Sequence, residues 1–278
     1  MVFLVDNGSV KPAAYFNLKR IAGKLSQRIG QAVTAAPLLH ANKIPPDKLG
    51  GEKVEILEDL MRKAYLRGDR EWSLLPLFFG PSGAILNYLP RRLRLLAKSH
   101  PGFFCKLLHP LYRSDSNGGP ELVQILGELT ESVIAEHRLE KPVLVLVDHG
   151  SPRREVTLVR NVLTKELARA LEGRVRATFA ASLERRNGPK WDFNEPLLER
   201  VLARKLVRGG NAVIAQMFIS PGRHAGPGGD ISRICAEAER RRGELKTYRT
   251  QLVGEHPRLI DLLEIRWRES AHIAGEEY

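Results

Sequence analysis

The sequence predicts an α/β protein built from two tandem, doubly wound, four-stranded parallel-sheet units related by internal duplication. Three observations carry that reading. Short apolar, β-branched runs alternate with stretches of helical periodicity along the chain. Phe3-Leu4-Val5-Asp6-Asn7-Gly8-Ser9 returns as Val145-Leu146-Val147-Asp148-His149-Gly150-Ser151, 142 residues later. Leu77-Phe78-Phe79-Gly80-Pro81-Ser82-Gly83 returns as Met217-Phe218-Ile219-Ser220-Pro221-Gly222-Arg223 at an offset of 140. A near-constant offset across separate segments marks a repeat, with expected halves at 1–138 and 139–278.

Each half is expected to alternate strand and helix. The first half has strands at 2–5, 32–39, 73–79 and 103–108, with Pro120 to Glu136 as its closing helix. In the second, Val143 to Val147 is wholly apolar, the pattern of a strand buried on both faces. Arg154 to Leu171 has apolar residues at helical spacing (Val156, Val159, Leu163, Leu167) and stops at Gly173. Strands at 175–183, 212–219 and 247–253 follow, with helices at 196–208, 231–242 and 257–269 between and after them.

Composition narrows the function classes. With 43% hydrophobic and 27% charged residues, the 278-residue chain can bury a core and is not generally disordered. No run of eighteen apolar residues occurs, and Met1-Val2-Phe3-Leu4-Val5-Asp6 reads as a strand, not a leader. A cytoplasmic protein with no membrane partner is the expectation. Cys105 and Cys235 stand alone, which excludes a disulfide framework and a cysteine-ligated cluster within one chain. A net charge of +12 favours a polyanionic partner, but basic residues are not interleaved with aromatics as in single-strand binders. No nucleic acid is expected, and the chain is read as a monomer or homo-oligomer.

Ligands of parallel α/β sheets bind beyond the carboxyl ends of the strands. In the second half those ends carry His149, Glu184 and His224. If the strand order is 2-1-3-4, His149 lies on the central strand and the other two on its flanks. Neighbouring strands are about 4.8 Å apart, so the three can meet over one point. Two imidazoles and a carboxylate suit a divalent first-row metal and can exchange protons near neutral pH. Each residue also has a plainer role open to it: a turn with a helix cap for His149-Gly150-Ser151, a surface ion pair for Glu184, a phosphate cradle or simple loop for 222–229. Ser151 as a nucleophile lacks a Gly-x-Ser-x-Gly elbow. In the first half Asn7 replaces the histidine and Gly83-Ala84 replaces Arg223-His224, leaving His40, Asn42 and His109 as its remaining polar candidates.

These residues resemble the class II tetrapyrrole chelatases, particularly the sirohydrochlorin chelatases of the cobalamin and siroheme pathways. The likeness rests on the strand into His149-Gly150-Ser151, on Leu183-Glu184, on Phe218 to His224 with Asp230-Ile231, and on Leu252-Val253-Gly254-Glu255-His256-Pro257. The resemblance implies two similar α/β halves with the site in the cleft between them. It further implies that His149 and His224 bind the incoming metal and accept pyrrole protons, with Glu184 assisting. Cobalt, ferrous iron or nickel would be the metal substrate, and no organic cofactor is expected. The tetrapyrrole would bring eight carboxylates, for which Arg153, Arg154, Arg185, Arg186 and Arg223 are the expected partners. Asn7, Ser9 and Ser151 complete the implied substrate-binding set. The loop 184–189 is more basic than the family's usual stretch, and the histidine-rich tail and cysteine motif of some members are absent. Two other readings stay open: a non-catalytic tetrapyrrole or metal carrier, and a basic nucleic-acid-associated protein that shares only the fold, against which the two histidines in one half argue.

Overall fold

A computed structural model of the chain describes residues 1–113, 115 and 119–278, without the side chains at 208 and 242. It runs β1 (Val2–Asp6), α1 (Pro12–Ile29), β2 (Val33–Pro37), α2 (Leu57–Leu66), β3 (Glu71–Pro76), α3 (Leu89–Ala97), β4 (Phe104–Leu107) and α4 (Pro120–Glu136). The repeat continues as β5 (Val143–Asp148), α5 (Arg154–Ala170), β6 (Ala177–Ser182), α6 (Leu198–Leu202), α7 (Lys205–Arg208) and β7 (Asn211–Gln216). Last come α8 (Asp230–Arg242), β8 (Lys246–Arg249), α9 (Arg258–Arg268) and β9 (Glu276–Glu277).

Two sheets form, ordered β2-β1-β3-β4-β9 and β6-β5-β7-β8. In both, the repeat's four strands are parallel and take the order 2-1-3-4. The central strands explain themselves: every residue of β5 is buried, as are Val2 to Val5 of β1, because helices cover both faces. One face of β5 packs Val143, Val145 and Val147 with Ala212 and Ile214 against Leu198, Val201 and Leu202. In α1, Pro12 opens the helix without needing an N–H, and Gly30 closes it in the left-handed conformation.

Three features depart from expectation. The first sheet has five strands, not four: Glu276–Glu277 pairs antiparallel with β4, and Tyr278 stacks on Phe103 at 5.3 Å. A two-residue strand carries no periodicity by which a sequence could announce it. The helix expected over 196–208 is broken into α6 and α7, with Arg204 extended between them. Carried on as one helix, Val207 would point roughly 190° away from the face made by Leu198, Val201 and Leu202; the break buries it completely. By compactness, moreover, the chain divides elsewhere than at the repeat boundary of 138/139. One unit is Met1–Tyr112 with Leu259–Tyr278, and the other is Arg113–Arg258. α4 therefore belongs with the second sheet, tied by Arg174–Glu131 at 2.7 Å and Arg258–Glu128 at 2.8 Å. α9 belongs with the first, where the buried Arg266 donates to the carbonyls of Pro110 and Leu111 at 3.0 and 2.8 Å. Among the described residues no helix is long and apolar enough to cross a membrane.

The two central strands end alike and are supported differently. Asp6 accepts the Gly8 N–H at 2.9 Å, and Asp148 accepts the Gly150 N–H at 3.1 Å. Asp148 also has Arg160 and, in register on β6, Ser182. At the matching places the first copy has Leu18, 142 residues before Arg160, and Pro37, in register with Asp6. Burial without those partners pushes the Asp6 carboxyl up to about 6, the Gly8 N–H opposing only in part. Its folded-state value lies above that of the unfolded chain, so Asp6 favours folding most below about pH 4, and this contribution is lost as pH rises through about 6. Asp6→Asn keeps the acceptor for Gly8 and removes the charge. It should raise unfolding stability by about 2 kcal/mol near pH 8, after discounting for the residue's partial exposure, and by much less near pH 4. Urea unfolding of both proteins at the two pH values checks this.

Candidate functional site

The site of the second unit begins where β5 stops. Beyond the sheet the backbone goes on pairing: Leu183 N–H donates to the Asp148 carbonyl at 2.9 Å and Glu184 N–H to that of His149 at 3.1 Å. This brings Glu184 beside the residue after β5. Gly150, at φ +91°, makes the approach possible, because a β-carbon there would lie 2.0 Å from the Glu184 carbonyl oxygen. Ser151 then accepts the Arg153 N–H at 3.0 Å and turns the chain into α5. Ser9 does the same for Lys11 at 3.1 Å before α1. The two serines expected to bind substrate thus act first as turn formers.

His149 is half-exposed. Its Nε2 lies 3.1 Å from Glu184 Oε1, and its ring centroid lies 4.4 Å from that of His224. Its Nδ1 lies 3.0 Å from the Gly150 carbonyl, which can only accept, so the hydrogen-bond network assigns the proton to Nδ1. A neutral His149 then turns the lone pair of Nε2 toward a carboxylate oxygen, an arrangement completed by a proton or a cation.

His224 is held by the loop that joins β7 to α8. Its Nδ1 donates to Asp230 Oδ2 at 2.7 Å, which assigns this proton too and leaves Nε2 as the free nitrogen. Asp230 is the first residue of α8; it also binds Arg233 closely and lies 3.8 Å from Arg223. Partial burial alone would raise the Asp230 carboxyl, but hydrogen bonds from Arg233 and His224 outweigh it and hold the group below the usual range. The N–H groups of Asp230 and Ile231 donate to the carbonyls of Arg223 and His224, both at 3.1 Å. The amides that a phosphate would need at this helix start are therefore used by the loop itself, and the segment 222–229 orients His224 instead.

The structure brings His149 beside Glu184 and beside His224, through the contacts His149–Glu184 and His149–His224. Among the described residues, however, no three His, Cys, Asp or Glu side chains gather closely enough to hold a metal ion between them. The arginines divide. Arg185 is engaged by Glu195 at 2.7 Å and Asp192 at 3.0 Å, so its charge is already answered within its own loop. Arg153 lies 3.4 Å from Glu155. Arg223 is open, with 78% of its side chain exposed. Arg186 lies over the Trp191 ring at 4.9 Å and Arg154 over Phe193 at 5.9 Å. Asn7 is exposed on the equivalent turn of the first unit, after β1.

Sequence reasoning missed three supporting residues. Asp230 had a signal: a carboxylate in the first turn of the helix that follows a loop histidine. Asn194 had none, since it meets Ser151 across 43 residues of chain. Arg160 reads as a surface charge in a helix, yet it is 1% exposed.

Residues 143–270 match the model of the CbiX family. The fold extends the likeness over the full length. SirB from Bacillus subtilis with Fe3+ is similar at a TM-score of 0.72 and 14% identity, covering 97% of this chain and 94% of that one. The sirohydrochlorin chelatase SirB from Bacillus subtilis subspecies spizizenii in complex with cobalt gives 0.70 and 13%, covering 98% and 94%. CbiX, the terminal enzyme for siroheme biosynthesis in denitrifying bacteria, gives 0.61 and 19%, covering 96% and 97%. No protein of curated function matches the chain by sequence.

Gly150→Ala tests the close approach on which the site is built. The substitution must displace the Glu184 backbone or abandon φ +91°. It should cost about 1–3 kcal/mol in urea unfolding, the scale of a strained backbone position. The His149 ring resonances should shift by NMR as the Glu184 contact opens, while those of the partly buried His256 stay in place.

Proposed function

We propose that this protein inserts a divalent metal, cobalt or ferrous iron, into sirohydrochlorin or a related anionic tetrapyrrole, working in the cytoplasm with the second unit as the working half. The observation that carries the reading is the contact of His149 with both Glu184 and His224 at adjoining strand ends, with the Nδ1 protons of both imidazoles already committed. Insertion requires the metal to shed water and two pyrrole N–H protons to leave. A neutral imidazole can serve as ligand first and base second. His149 Nε2 and Glu184 Oε1, 3.1 Å apart, have the separation of adjacent donors on one ion, roughly 3 Å for bonds of about 2.1 Å at a right angle. Asp230 keeps His224 in one tautomer, which leaves the opposite nitrogen for metal or proton.

Charge supports the substrate class. Arg223, Arg154 and Arg186 are exposed cations near these strand ends, suited to carboxylates on the rim of a macrocycle. Asn7 and Ser9, on the equivalent turn of the first unit, have a substrate-binding role in this reading; asparagine can donate a hydrogen bond but cannot take a proton near neutral pH. The solved structures of a sirohydrochlorin chelatase and of the terminal enzyme for siroheme biosynthesis, which this fold resembles, support the same chemistry.

The test is absorbance of sirohydrochlorin with cobalt, ferrous iron or nickel, with and without protein. His149→Ala and His224→Ala should each lower turnover about 100-fold or more, the scale of a lost acid–base group. Asn7→Ala should leave turnover nearly intact and raise KM about fivefold, the worth of one neutral hydrogen bond. Tight binding of tetrapyrrole or metal with no insertion above the uncatalysed rate would make the protein a carrier instead.

A further inference from the structure

Beneath the His149 turn lies a polar network that the proposed chemistry does not use. Arg160, on α5, is 1% exposed, and its Nη1 donates to Asp148 Oδ1 at 3.4 Å, to the Asn194 carbonyl at 3.3 Å and, closely, to Ser182 Oγ. Its Nε and Nη2 bracket Asn161 Oδ1 at 3.1 and 2.9 Å. Ser182 Oγ donates to Asp148 Oδ1 at 2.7 Å. Asn194 is 1% exposed; its Oδ1 accepts from Ser151 N–H and Thr157 Oγ1, and its Nδ2 donates to the Ser151 carbonyl, all at 2.9 Å.

The network grips the turn on both sides of His149. Upstream, Asp148 is held by Arg160 and Ser182 and in turn accepts the Gly150 N–H at 3.1 Å. Downstream, Asn194 takes both the N–H and the carbonyl of Ser151. His149 therefore sits on a short span between two fixed points. A buried ion pair contributes little net stability, because desolvation of both charges offsets their attraction. Its presence calls for a reason other than stability, and the repeat supplies one. The copy that has Asn7 in place of the histidine has Leu18 in place of Arg160 and Pro37 in place of Ser182. Guanidinium, hydroxyl and imidazole stand in the same copy.

We propose that Arg160 and Asn194 are positioning residues for His149, fixing its turn so that the imidazole is held against Glu184 and His224. The proposal rests on the reading of His149 as the group that handles metal and protons, and its two readouts separate the two ideas. The first is amide hydrogen exchange by NMR in the full chain, with the Val145 amide of β5 as internal control. In Arg160→Met and in Asn194→Ala, exchange at Gly150 and Ser151 should rise at least about tenfold more than at Val145. The second is metal insertion: kcat should fall about 10- to 100-fold, as for lost partners of a metal ligand, with KM within about threefold. Arg160→Lys keeps the charge against Asp148 but not the fork. It should recover most of the thermal stability and little of kcat, a split that a merely structural role does not give. If Arg160→Met does not fold, Asn194→Ala carries the test, since it leaves the ion pair in place. Exchange at Gly150 and Ser151 that only follows Val145, or an unchanged kcat despite faster exchange, overturns the proposal. Selective loosening of the turn in a protein whose wild type inserts no metal would support the positioning and sink the chelatase reading alone.

Discussion

In each sheet the turn leaving the central strand lies against the backbone leaving its neighbour. At Gly150 a β-carbon would stand 2.0 Å from the Glu184 carbonyl oxygen, and at Gly8 it would stand 1.7 Å from that of Leu39. Only a residue without a side chain passes this point, and only one at ease with positive φ adopts its conformation. From this approach the site follows. Glu184 reaches His149 because the Glu184 N–H is drawn to the His149 carbonyl. The aspartate that ends each strand accepts the glycine's N–H, and the serine after the glycine starts the helix. Asp-x-Gly-Ser is thus one structural device, and the copies differ in the residue it displays, His149 in one and Asn7 in the other.

Seen this way, the copies diverged in layers. The device that builds the turn persists in both, since losing it would open a gap between neighbouring strand ends. The partners of its aspartate persist in one. With Arg160 and Ser182 present, burial still pushes Asp148 upward, but the guanidinium, the hydroxyl, the Gly150 N–H and the neighbouring His149 all oppose it. With Leu18 and Pro37 in those places, burial acts on Asp6 against the Gly8 N–H alone. A leucine in place of a buried arginine removes a desolvation cost, so the copy without the imidazole also does without the buried charge.

The sequence was most informative where local periodicity and long-range repetition agreed. Val143 to Val147 could be read as a doubly covered strand from its unbroken apolar run, and the repeat carried the strand–helix alternation to the other half. The order 2-1-3-4 entered only as a condition, which both sheets meet. The placement of His149, His224 and Glu184 was legible because parallel α/β sheets gather polar residues at the carboxyl ends of their strands. What stayed hidden depends on contacts between residues distant in sequence. Val207 breaks a helix to reach a core that its own neighbours do not define. Asn194 holds a turn 43 residues away. Tyr278 adds a strand by stacking on Phe103. No local pattern encodes any of these, and the exchange of α4 and α9 between compact units is invisible for the same reason.

Charge shows how a bulk property must be resolved into places. The surplus of +12 pointed to a polyanion, yet many of the basic side chains are answered locally. Arg240 and Arg241 both bind Glu237, and their hydrogen bonds push its carboxyl down to about 2. Arg28 and Arg268 share Glu264, and Arg185 is taken by Asp192 and Glu195. Pairs of this kind on a surface are worth little in stability, and they leave little unpaired field for a ligand to meet. The case for an anionic substrate therefore rests less on the total than on three positions. Arg223 extends into solvent beside the His224 loop, and Arg154 and Arg186 lie over aromatic rings near the His149 turn. An arginine resting on an aromatic face keeps its N–H edge available for a carboxylate, so these cations are open to an anion near the strand ends where the imidazoles stand.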